Sequence, residues 1–180
     1  MKTGIRILTG KFKGRVIPVK GSGIRPATAI MKKRIFDILR DSVKESHVLD
    51  LFAGTGSLSF EAISRGARRA ELVERNLTRI NVLKSTVEKW GIESQIDIYS
   101  CDVLKWLNRF NCHADIIFVD PPYKYLYYET LSELISRKMQ KKSLIIWHCS
   151  DNLPVLDFFS VVRKLKQGGS TIYLLELPSS

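Results

Sequence analysis

Apolar and polar positions follow two different patterns along the chain, and the first of them lies near the N-terminus. Residues 4–19 alternate apolar and polar positions around Gly10-Lys-Phe-Lys-Gly14, which predicts a short β-hairpin. Gly21-Ser-Gly23 predicts a flexible joint after it. In Arg25-Pro-Ala-Thr28 the proline favours extended backbone, and the threonine can cap a helix that the apolar spacing places at about 28–41. We therefore expect a hairpin followed by one amphipathic helix.

From residue 48 onwards, short apolar segments alternate with helical segments. Strands are expected at 48–52, 70–74, 96–100, 115–120 and 143–147. Helices are expected at 57–65, 76–90, 103–110 and 126–138. Short apolar strands separated by helices make a parallel sheet that is covered on both faces. The last two strands, at about 159–166 and 171–177, are joined by Gln167-Gly-Gly169 and are predicted to form a hairpin.

Length and composition are those of an ordinary globular protein. With 180 residues, of which 44% are hydrophobic and 26% charged, the chain fits one domain with an appendage. The predicted division is a basic β-hairpin extension over 1–24 and one domain over 25–180. No apolar run approaches the roughly 18 residues of a membrane span, and the start has no apolar secretory core, so we expect a cytoplasmic protein that does not bind membranes. The 3 cysteines and 3 histidines are scattered without ligand spacing, so neither a metal nor a disulfide framework is expected.

Positive charge is concentrated in the first 40 residues. They hold eleven Lys or Arg and one acid, a net charge of +10, whereas residues 41–180 have a net charge of +1. A solubilising segment would explain the charge alone, but these cations are interleaved with apolar residues and glycines that predict folded structure. A surface that binds phosphates explains both features better. The candidate RNA-binding residues are Arg6, Lys11, Lys13, Arg15, Arg25, Lys32 and Lys33.

A glycine turn follows the first strand of the predicted parallel sheet, in Asp50-Leu-Phe-Ala-Gly54-Thr-Gly56. In such sheets, ligands bind outside the carboxyl ends of the strands, and glycine lets a ligand approach the backbone closely. A tight strand-to-helix turn without a ligand would use the same residues. A dinucleotide site would also need a third glycine at position 59, which is Ser59, so the motif disfavours an NAD enzyme.

Acidic residues follow the next two strands in equivalent places. Glu74 could accept hydrogen bonds from two ribose hydroxyls, and Asp102 could bind an adenine amino group, although each could instead serve only a helix start. Together with the glycine turn they predict a pocket for a nucleoside without phosphates, which fits S-adenosylmethionine. The candidate cofactor-binding residues are Asp50, Phe52, Ala53, Gly54, Thr55, Gly56, Glu74, Arg75, Asp102 and Val103.

The tetrapeptide Asp120-Pro-Pro-Tyr123 after the fourth strand is the most specific signal. Consecutive prolines fix the backbone, either for stiffness alone or to hold a carboxylate, a carbonyl and an aromatic ring in set positions. An exocyclic base nitrogen is a poor nucleophile because its lone pair is delocalised into the ring. Asp120 and a turn carbonyl could accept its two N–H protons while Tyr123 stacks on the base. The catalytic candidates are Asp120, Pro121, Pro122 and Tyr123, and the predicted reaction is amine methylation by direct transfer.

These motifs and their flanks resemble the bacterial 16S rRNA guanine-N2 methyltransferase family. The matching segments are Ile7-Leu-Thr-Gly10-Lys-Phe-Lys-Gly14-Arg15, Arg25-Pro-Ala-Thr28, Leu49-Asp-Leu-Phe-Ala-Gly-Thr-Gly56, Phe60-Glu-Ala-Ile-Ser-Arg-Gly-Ala67, Val73-Glu74 and Phe118-Val-Asp-Pro-Pro-Tyr123. The resemblance implies an α/β, Rossmann-like class I methyltransferase fold with a seven-stranded, mostly parallel sheet, helices on both faces and a small N-terminal β-hairpin extension. It also implies that the protein uses S-adenosylmethionine on 16S rRNA, within the small ribosomal subunit or an assembly intermediate. We expect a monomer.

Two features depart from that family. Trp147-His-Cys-Ser150 stands where relatives often carry a glutamate, and the C-terminal hairpin matches only loosely. The proline tetrapeptide would serve any exocyclic amine, so adenine-N6 or cytosine-N4 methylation of nucleic acid is the alternative within enzymes. An RNA-binding assembly factor with a vestigial cofactor pocket is the alternative outside them.

Overall fold

The computed structural model describes residues 4–19, 28–122, 124–149 and 157–178. The predictions on Gly21-Ser-Gly23, Arg25 and Tyr123 lie outside these residues.

Nine strands and five helices occur in these described ranges, close to the positions that the apolar pattern predicts. The strands are β1 Gly4–Arg6, β2 Val16–Pro18, β3 His47–Asp50, β4 Arg69–Glu74, β5 Ile96–Ser100, β6 Ile116–Val119, β7 Leu144–Cys149, β8 Ser160–Gln167 and β9 Ser170–Glu176. The helices are α1 Ala29–Leu39, α2 Ser57–Ser64, α3 Leu77–Trp90, α4 Val103–Arg109 and α5 Tyr128–Lys138. A single 3₁₀ turn, Arg40–Val43, follows α1.

The predicted fold class is confirmed by the sheet. Within the described residues, seven strands form one sheet in the order β5-β4-β3-β6-β7-β9-β8. The pairs from β5 to β7 are parallel, whereas β9 is antiparallel to both β7 and β8. β1 and β2 make a separate two-stranded antiparallel hairpin. Because the five parallel strands end at one edge, the residues that follow neighbouring strands lie next to each other.

Local chemistry sets the helix boundaries. The Thr28 side chain accepts a hydrogen bond from the backbone N–H of Met31, so α1 begins where the sequence predicts. Asn76 caps α3 in the same way, and Gly91 ends that helix in the left-handed conformation.

Buried apolar residues of the described chain fall into two clusters, one on each face of the sheet. The first contains side chains of α1, α2 and α3, such as Ile35, Phe60 and Leu83. The second contains those of α4 and α5, such as Trp106 and Leu131. The apolar residues of the N-terminal hairpin belong to the first cluster, so the hairpin shares a core with the sheet. The division at residue 24 falls in a segment outside the described ranges and stays a prediction.

Helix α2 holds the hairpin through polar contacts. The Glu61 carboxylate is fully buried and accepts the backbone N–H groups of Leu8 (2.8 Å) and Thr9 (3.0 Å). Ser64 Oγ accepts the N–H of Phe12 at 2.9 Å. This segment, which is one of the distinctive parts of the family resemblance, therefore serves to dock the hairpin.

Lys32 lies in the interior of the protein. The sequence-based interpretation, which placed it on the RNA-binding face, is therefore wrong. The Lys32 side chain is 1% exposed, and Nζ lies 3.4 Å from Glu61 Oε2. Nζ also donates to the carbonyl oxygen of Arg6 at 2.7 Å. A buried ammonium that is already paired cannot reach a phosphate, so Lys32 is a structural cation of the interior.

Candidate functional site

An open cavity of about 380 Å³ lies at the carboxyl ends of β3, β4, β5 and β6. Ligand sites in proteins commonly span roughly 300–1,000 Å³. The structure brings twelve of the sequence-predicted residues together around this cavity. They are Asp50, Phe52, Ala53, Gly54, Thr55, Glu74, Arg75, Asp102, Val103, Asp120, Pro121 and Pro122.

The two glycines of the turn have different positions. Gly54 lines the cavity with φ +56°, and a Cβ there would have only the Phe52 carbonyl oxygen, at 3.8 Å, within 4 Å. Gly56 also has positive φ, but a Cβ there would overlap the side chains of Leu83 and Phe60. Gly56 is absent from the residues that line the cavity within the described chain. Gly56 therefore allows close packing at the start of α2, and its contact with the cofactor stays a prediction.

Glu74 is the centre of the cavity's hydrogen bonding. Its Oε2 accepts the N–H of Gly54 at 2.9 Å, and its Oε1 accepts the N–H groups of Arg75 (2.9 Å) and Asn76 (2.8 Å). Arg79, which the sequence reasoning missed, places a guanidinium nitrogen 3.6 Å from Oε2. The carboxylate is thus held rigidly at the cavity wall, beside the glycine turn.

Asp50 and Ser59 form a buried pair beneath the turn. Ser59 Oγ donates to Asp50 Oδ2 at 2.8 Å, so the residue that breaks the dinucleotide pattern has a structural partner. Burial raises the pKa of Asp50 to about 7, and the nearby Asp120 and Glu74 carboxylates also raise it. A cationic ligand in the cavity would favour the ionised form of Asp50.

Asp102 and Tyr125 also line the cavity. Asp102 Oδ1 caps α4 by accepting the N–H of Leu104, and its Oδ2 lies 3.7 Å from a guanidinium nitrogen of Arg75. Tyr125 lines the cavity, and its buried hydroxyl has no hydrogen-bond partner among the described residues. Burial raises the pKa of Tyr125 to about 12, so the hydroxyl remains a donor at neutral pH. A bound ligand could supply the missing partner.

Asp120 has a partner that the sequence did not reveal. His148 Nδ1 lies 2.8 Å from Asp120 Oδ1, and the two side chains are 16% and 34% exposed. In the turn that follows, the Pro122 carbonyl accepts the N–H of Tyr125 at 2.8 Å. The Pro121 carbonyl is then the candidate for a second acceptor beside the Asp120 carboxylate.

The candidate RNA-binding residues divide by exposure. The hairpin cations, Lys11, Lys13 and Arg15, are exposed, as is Arg6. Arg15 stacks over the Phe12 ring, with 4.8 Å between the guanidinium carbon and the ring centroid. Lys33 is exposed but paired with Asp37 at 2.7 Å.

A second basic surface was missed because it joins distant segments. An open groove of about 370 Å³ between α1 and β8 is lined by three exposed arginines, which we call the groove arginines, together with Ile38, Leu165 and the already paired Asp37. The groove arginines are Arg34, Arg40 and Arg163. Planar guanidinium groups suit bidentate contact with phosphate.

The described ranges contain no group of three His, Cys, Asp or Glu side chains that could hold a metal ion. In the same ranges, no helix is long and apolar enough to cross a membrane.

Comparison with known proteins places this chain among methyltransferases. The family model described as Conserved hypothetical protein 95 matches residues 5–176. Ribosomal RNA small subunit methyltransferase D of Buchnera aphidicola (strain Bp) is 33% identical over 153 residues, which cover 83% of this chain and 78% of the relative. The protein of the same name from Haemophilus influenzae is 34% identical over 152 residues, covering 81% of this chain and 78% of its own length.

Solved structures show the same fold. A candidate methyltransferase, yhhF, from Escherichia coli has a TM-score of 0.89 and 26% identity, covering 99% of this chain and 100% of its own. An RNA methyltransferase from Salinibacter ruber, solved in complex with S-adenosyl-L-homocysteine, has a TM-score of 0.70 and 13% identity, covering 87% of this chain and 95% of its own. The second likeness is one of fold.

Proposed function

Because this chain belongs to the Conserved hypothetical protein 95 family, we propose that it transfers a methyl group to the exocyclic N2 of a guanine in 16S rRNA. It is a methyltransferase that uses S-adenosylmethionine to methylate ribosomal RNA, as the named relatives and the fold indicate. The choice of guanine N2 rests on the resemblance of the motifs. The observation that carries the mechanism is that Asp120 lies at the same cavity as Gly54 and Glu74.

The residues around the cavity fit S-adenosylmethionine. The open face of Gly54 admits a ligand close to the backbone, and the buried Tyr125 hydroxyl offers a donor that no described residue uses. We propose that Glu74 and the Gly54 turn hold the ribose end and that Asp102 and Val103 hold the adenine. Asp50 would then carry negative charge toward the cationic end of the cofactor. When bound, the cofactor supplies an electrophilic methyl group on a positively charged sulfur.

The protein's part in the chemistry is to position the amine and manage its protons. Asp120 and the Pro121 carbonyl would each accept one N–H of the target amine, which favours localisation of the lone pair on nitrogen. Formation of the C–N bond would be matched by cleavage of the methyl–sulfur bond, whose electron pair would stay on the sulfur. The nitrogen would then be positively charged, and the Asp120 carboxylate would accept the proton that it releases. Alignment of the amine with the methyl group supplies the rest of the rate enhancement, because the reacting atoms are held close together. Stacking by Tyr123 stays a prediction.

We propose that the protein acts as a monomer in the cytoplasm, on 16S rRNA within a small subunit or an assembly intermediate. The hairpin cations and the groove arginines support the RNA substrate, since a folded RNA offers phosphates to both surfaces.

Nucleoside mass analysis tests the proposal directly. The protein would be incubated with isotope-labelled S-adenosylmethionine and small-subunit particles or 16S rRNA from cells that lack the gene. We expect label in N2-methylguanine, and we expect Asp120→Ala to lose turnover by orders of magnitude while it keeps cofactor affinity. Asp97→Ala, at an exposed carboxylate on β5, is the matched control and should keep parental activity.

Two outcomes would contradict the proposal in different ways. Label in N6-methyladenine or N4-methylcytosine would leave the amine mechanism standing but defeat the assignment to guanine. Full activity in Asp120→Ala would defeat the mechanism itself.

A further inference from the structure

We propose that His148 is a positioning residue for methyl transfer, which acts by anchoring one carboxylate oxygen of Asp120 so that the other remains available to the target amine. This inference rests on the proposed function, because it assigns a role to a neighbour of the amine acceptor. His148 lies in the segment that departs from the family pattern, so the motif comparison gave no role for it.

Sheet geometry brings the two residues together. β6 and β7 are parallel neighbours, and their last shared register pair is Val119 with Trp147. One residue further along each strand, Asp120 and His148 come side by side at the edge where the cavity lies. The resulting separation of 2.8 Å between Nδ1 and Oδ1 is that of a hydrogen bond with a charged partner.

The direction of the hydrogen bond follows from the chemistry of its partners. An ionised carboxylate can only accept, so Nδ1 must carry the proton and donate to Asp120 Oδ1. His148 Nε2 is buried and has no hydrogen-bond partner among the described residues. A bare lone pair at that position is tolerated better than a buried N–H without an acceptor, and this favours the neutral tautomer that is protonated on Nδ1.

Anchoring matters because a carboxylate alone is poorly oriented. The terminal torsion of an aspartate is broad and nearly two-fold, so Oδ1 and Oδ2 exchange readily when neither is held. With Oδ1 bonded to His148, the plane of the group is set. Among the residues that the structure describes, Oδ2 has no partner, and it is the oxygen left to accept the amine N–H.

The same geometry argues against direct contact of His148 with the substrate. Asp120 lines the cavity, whereas His148 is absent from the described lining residues and is 16% exposed. The His148 imidazole can therefore affect the position of the target amine only through Asp120. Its role is therefore positioning, and a double-mutant cycle can distinguish this from independent action.

Three substitutions at one position separate the donor from the bulk of the ring. In His148→Asn, the amide nitrogen is attached to the same carbon as Nδ1 and can still donate to Asp120. His148→Gln would place its amide where Nε2 lies and is the matched polar control, whereas His148→Ala removes every donor. Steady-state kinetics on 16S rRNA would give kcat and both KM values, and calorimetry with S-adenosylhomocysteine and thermal melting would check the pocket and the fold.

We expect His148→Ala to lower kcat by about tenfold to hundredfold, since a hydrogen bond to a charged group is removed, with cofactor affinity within about twofold of the parent. His148→Asn should recover most of that loss, and His148→Gln should not. In an Asp120→Ala background, His148→Ala should have no further effect on the residual rate.

Each contrary result overturns the inference. Parental kcat in His148→Ala would show that anchoring is unnecessary, and equal losses in the Asn and Gln variants would show that the donor position is irrelevant. A further loss in the Asp120→Ala background would mean that His148 acts independently of that carboxylate. If the parent protein itself makes no N2-methylguanine, the proposed function fails instead, and the kinetics on the true amine product still test the anchor.

Discussion

Substitution of Glu61 by alanine tests whether burial, rather than distance, decides the strength of an ion pair in this protein. Glu61 on α2 joins three segments. Its carboxylate accepts from Leu8 and Thr9 on the hairpin side, from Lys32 on α1 and from Arg65, which directly follows α2. Glu61→Ala would leave two backbone N–H groups without their acceptor. It would also leave the Lys32 ammonium, which is 1% exposed, without its carboxylate.

The expected loss is large for one residue. Removal of one partner from a buried ion pair lowers the free energy of unfolding by about 3–5 kcal/mol. Each unsatisfied backbone N–H adds up to about 1–3 kcal/mol, although these losses are not additive. Two effects offset part of the loss. Water can enter beside Lys32, and the Arg6 carbonyl oxygen still accepts a hydrogen bond from Lys32 Nζ. We therefore expect a total of about 4 kcal/mol.

The variant should also respond to pH in a defined direction. Burial lowers the pKa of Lys32, and the Glu61 carboxylate opposes that shift. Without Glu61 the folded-state pKa falls further below that of the unfolded chain, so the unfolded state binds more protons. Stability therefore rises with pH up to the unfolded pKa of 10.5, and the deficit of Glu61→Ala should be smaller at about pH 10 than at about pH 7.

Urea denaturation at both pH values would measure the effect, with Asp37→Ala as the control. The Lys33–Asp37 pair is closer, at 2.7 Å against 3.4 Å for Lys32–Glu61, but its side chains are 71% and 55% exposed. An exposed pair at this helical spacing contributes only about 0.3–0.5 kcal/mol. If Glu61→Ala loses no more stability than Asp37→Ala, the reasoning from burial is wrong.

Three further predictions follow from the structure. Burial raises the pKa of Asp50 from 3.8 to about 7, so the folded state retains a proton that the unfolded chain releases. The stability of the parent relative to Asp50→Asn should therefore fall between about pH 5 and pH 8. Urea unfolding that gives the two proteins the same pH dependence would contradict this. Gly10 and Gly14 both have positive φ, but only at Gly10 would a Cβ overlap the Ser64 carbonyl oxygen. Gly10→Ala should therefore lower the melting temperature more than Gly14→Ala does. In Gly14→Ala, the backbone strain alone amounts to about 1–2 kcal/mol. Neutralisation of the hairpin cations should flatten the salt dependence of rRNA binding, and neutralisation of the groove arginines should do the same. The slope of the logarithm of the binding constant against the logarithm of the salt concentration should become shallower by about 0.7–0.9 for every phosphate contact that is lost. A parental slope in filter-binding titrations would exclude that surface.

The sheet and its order could largely be anticipated from sequence, because apolar period and strand length depend on local residues. The boundaries of β5 and α3 agree with the pattern to within one residue, since Asn76 and Gly91 mark the ends of α3 chemically. The cavity could be anticipated for a similar reason. In a parallel sheet the residues after each inner strand meet at one edge, so Gly54, Glu74 and Asp120 are brought together by topology alone.

Partners between distant segments could not be anticipated, because periodicity identifies a face but not what that face meets. Charge alone places Lys32 on the surface, although it precedes Ile35 and Leu39 by three and seven residues, which is the spacing of the buried face of α1. Its partners on β1 and α2 are set by tertiary packing. One signal was present in the sequence, since Glu61 is the single charged residue of α2, Ser57–Ser64, and a carboxylate in a helix of otherwise apolar and small residues needs partners when it is buried. The contact between His148 and Asp120 depends on the register of two strands, which no short motif encodes.

The docking of the hairpin on α2 has a consequence for the order in which the chain is assembled. The hydrogen bond from Leu8 to Glu61 spans 53 residues, and that from Phe12 to Ser64 spans 52. At roughly 5–20 residues per second, a ribosome completes β2 about 2–9 seconds before it supplies the acceptors that hold the hairpin. The hairpin's turn can close early because its contacts are local, but its apolar side must wait for α2. The N-terminal cations thus reach their native arrangement only after the helix that opens at the glycine turn has been made.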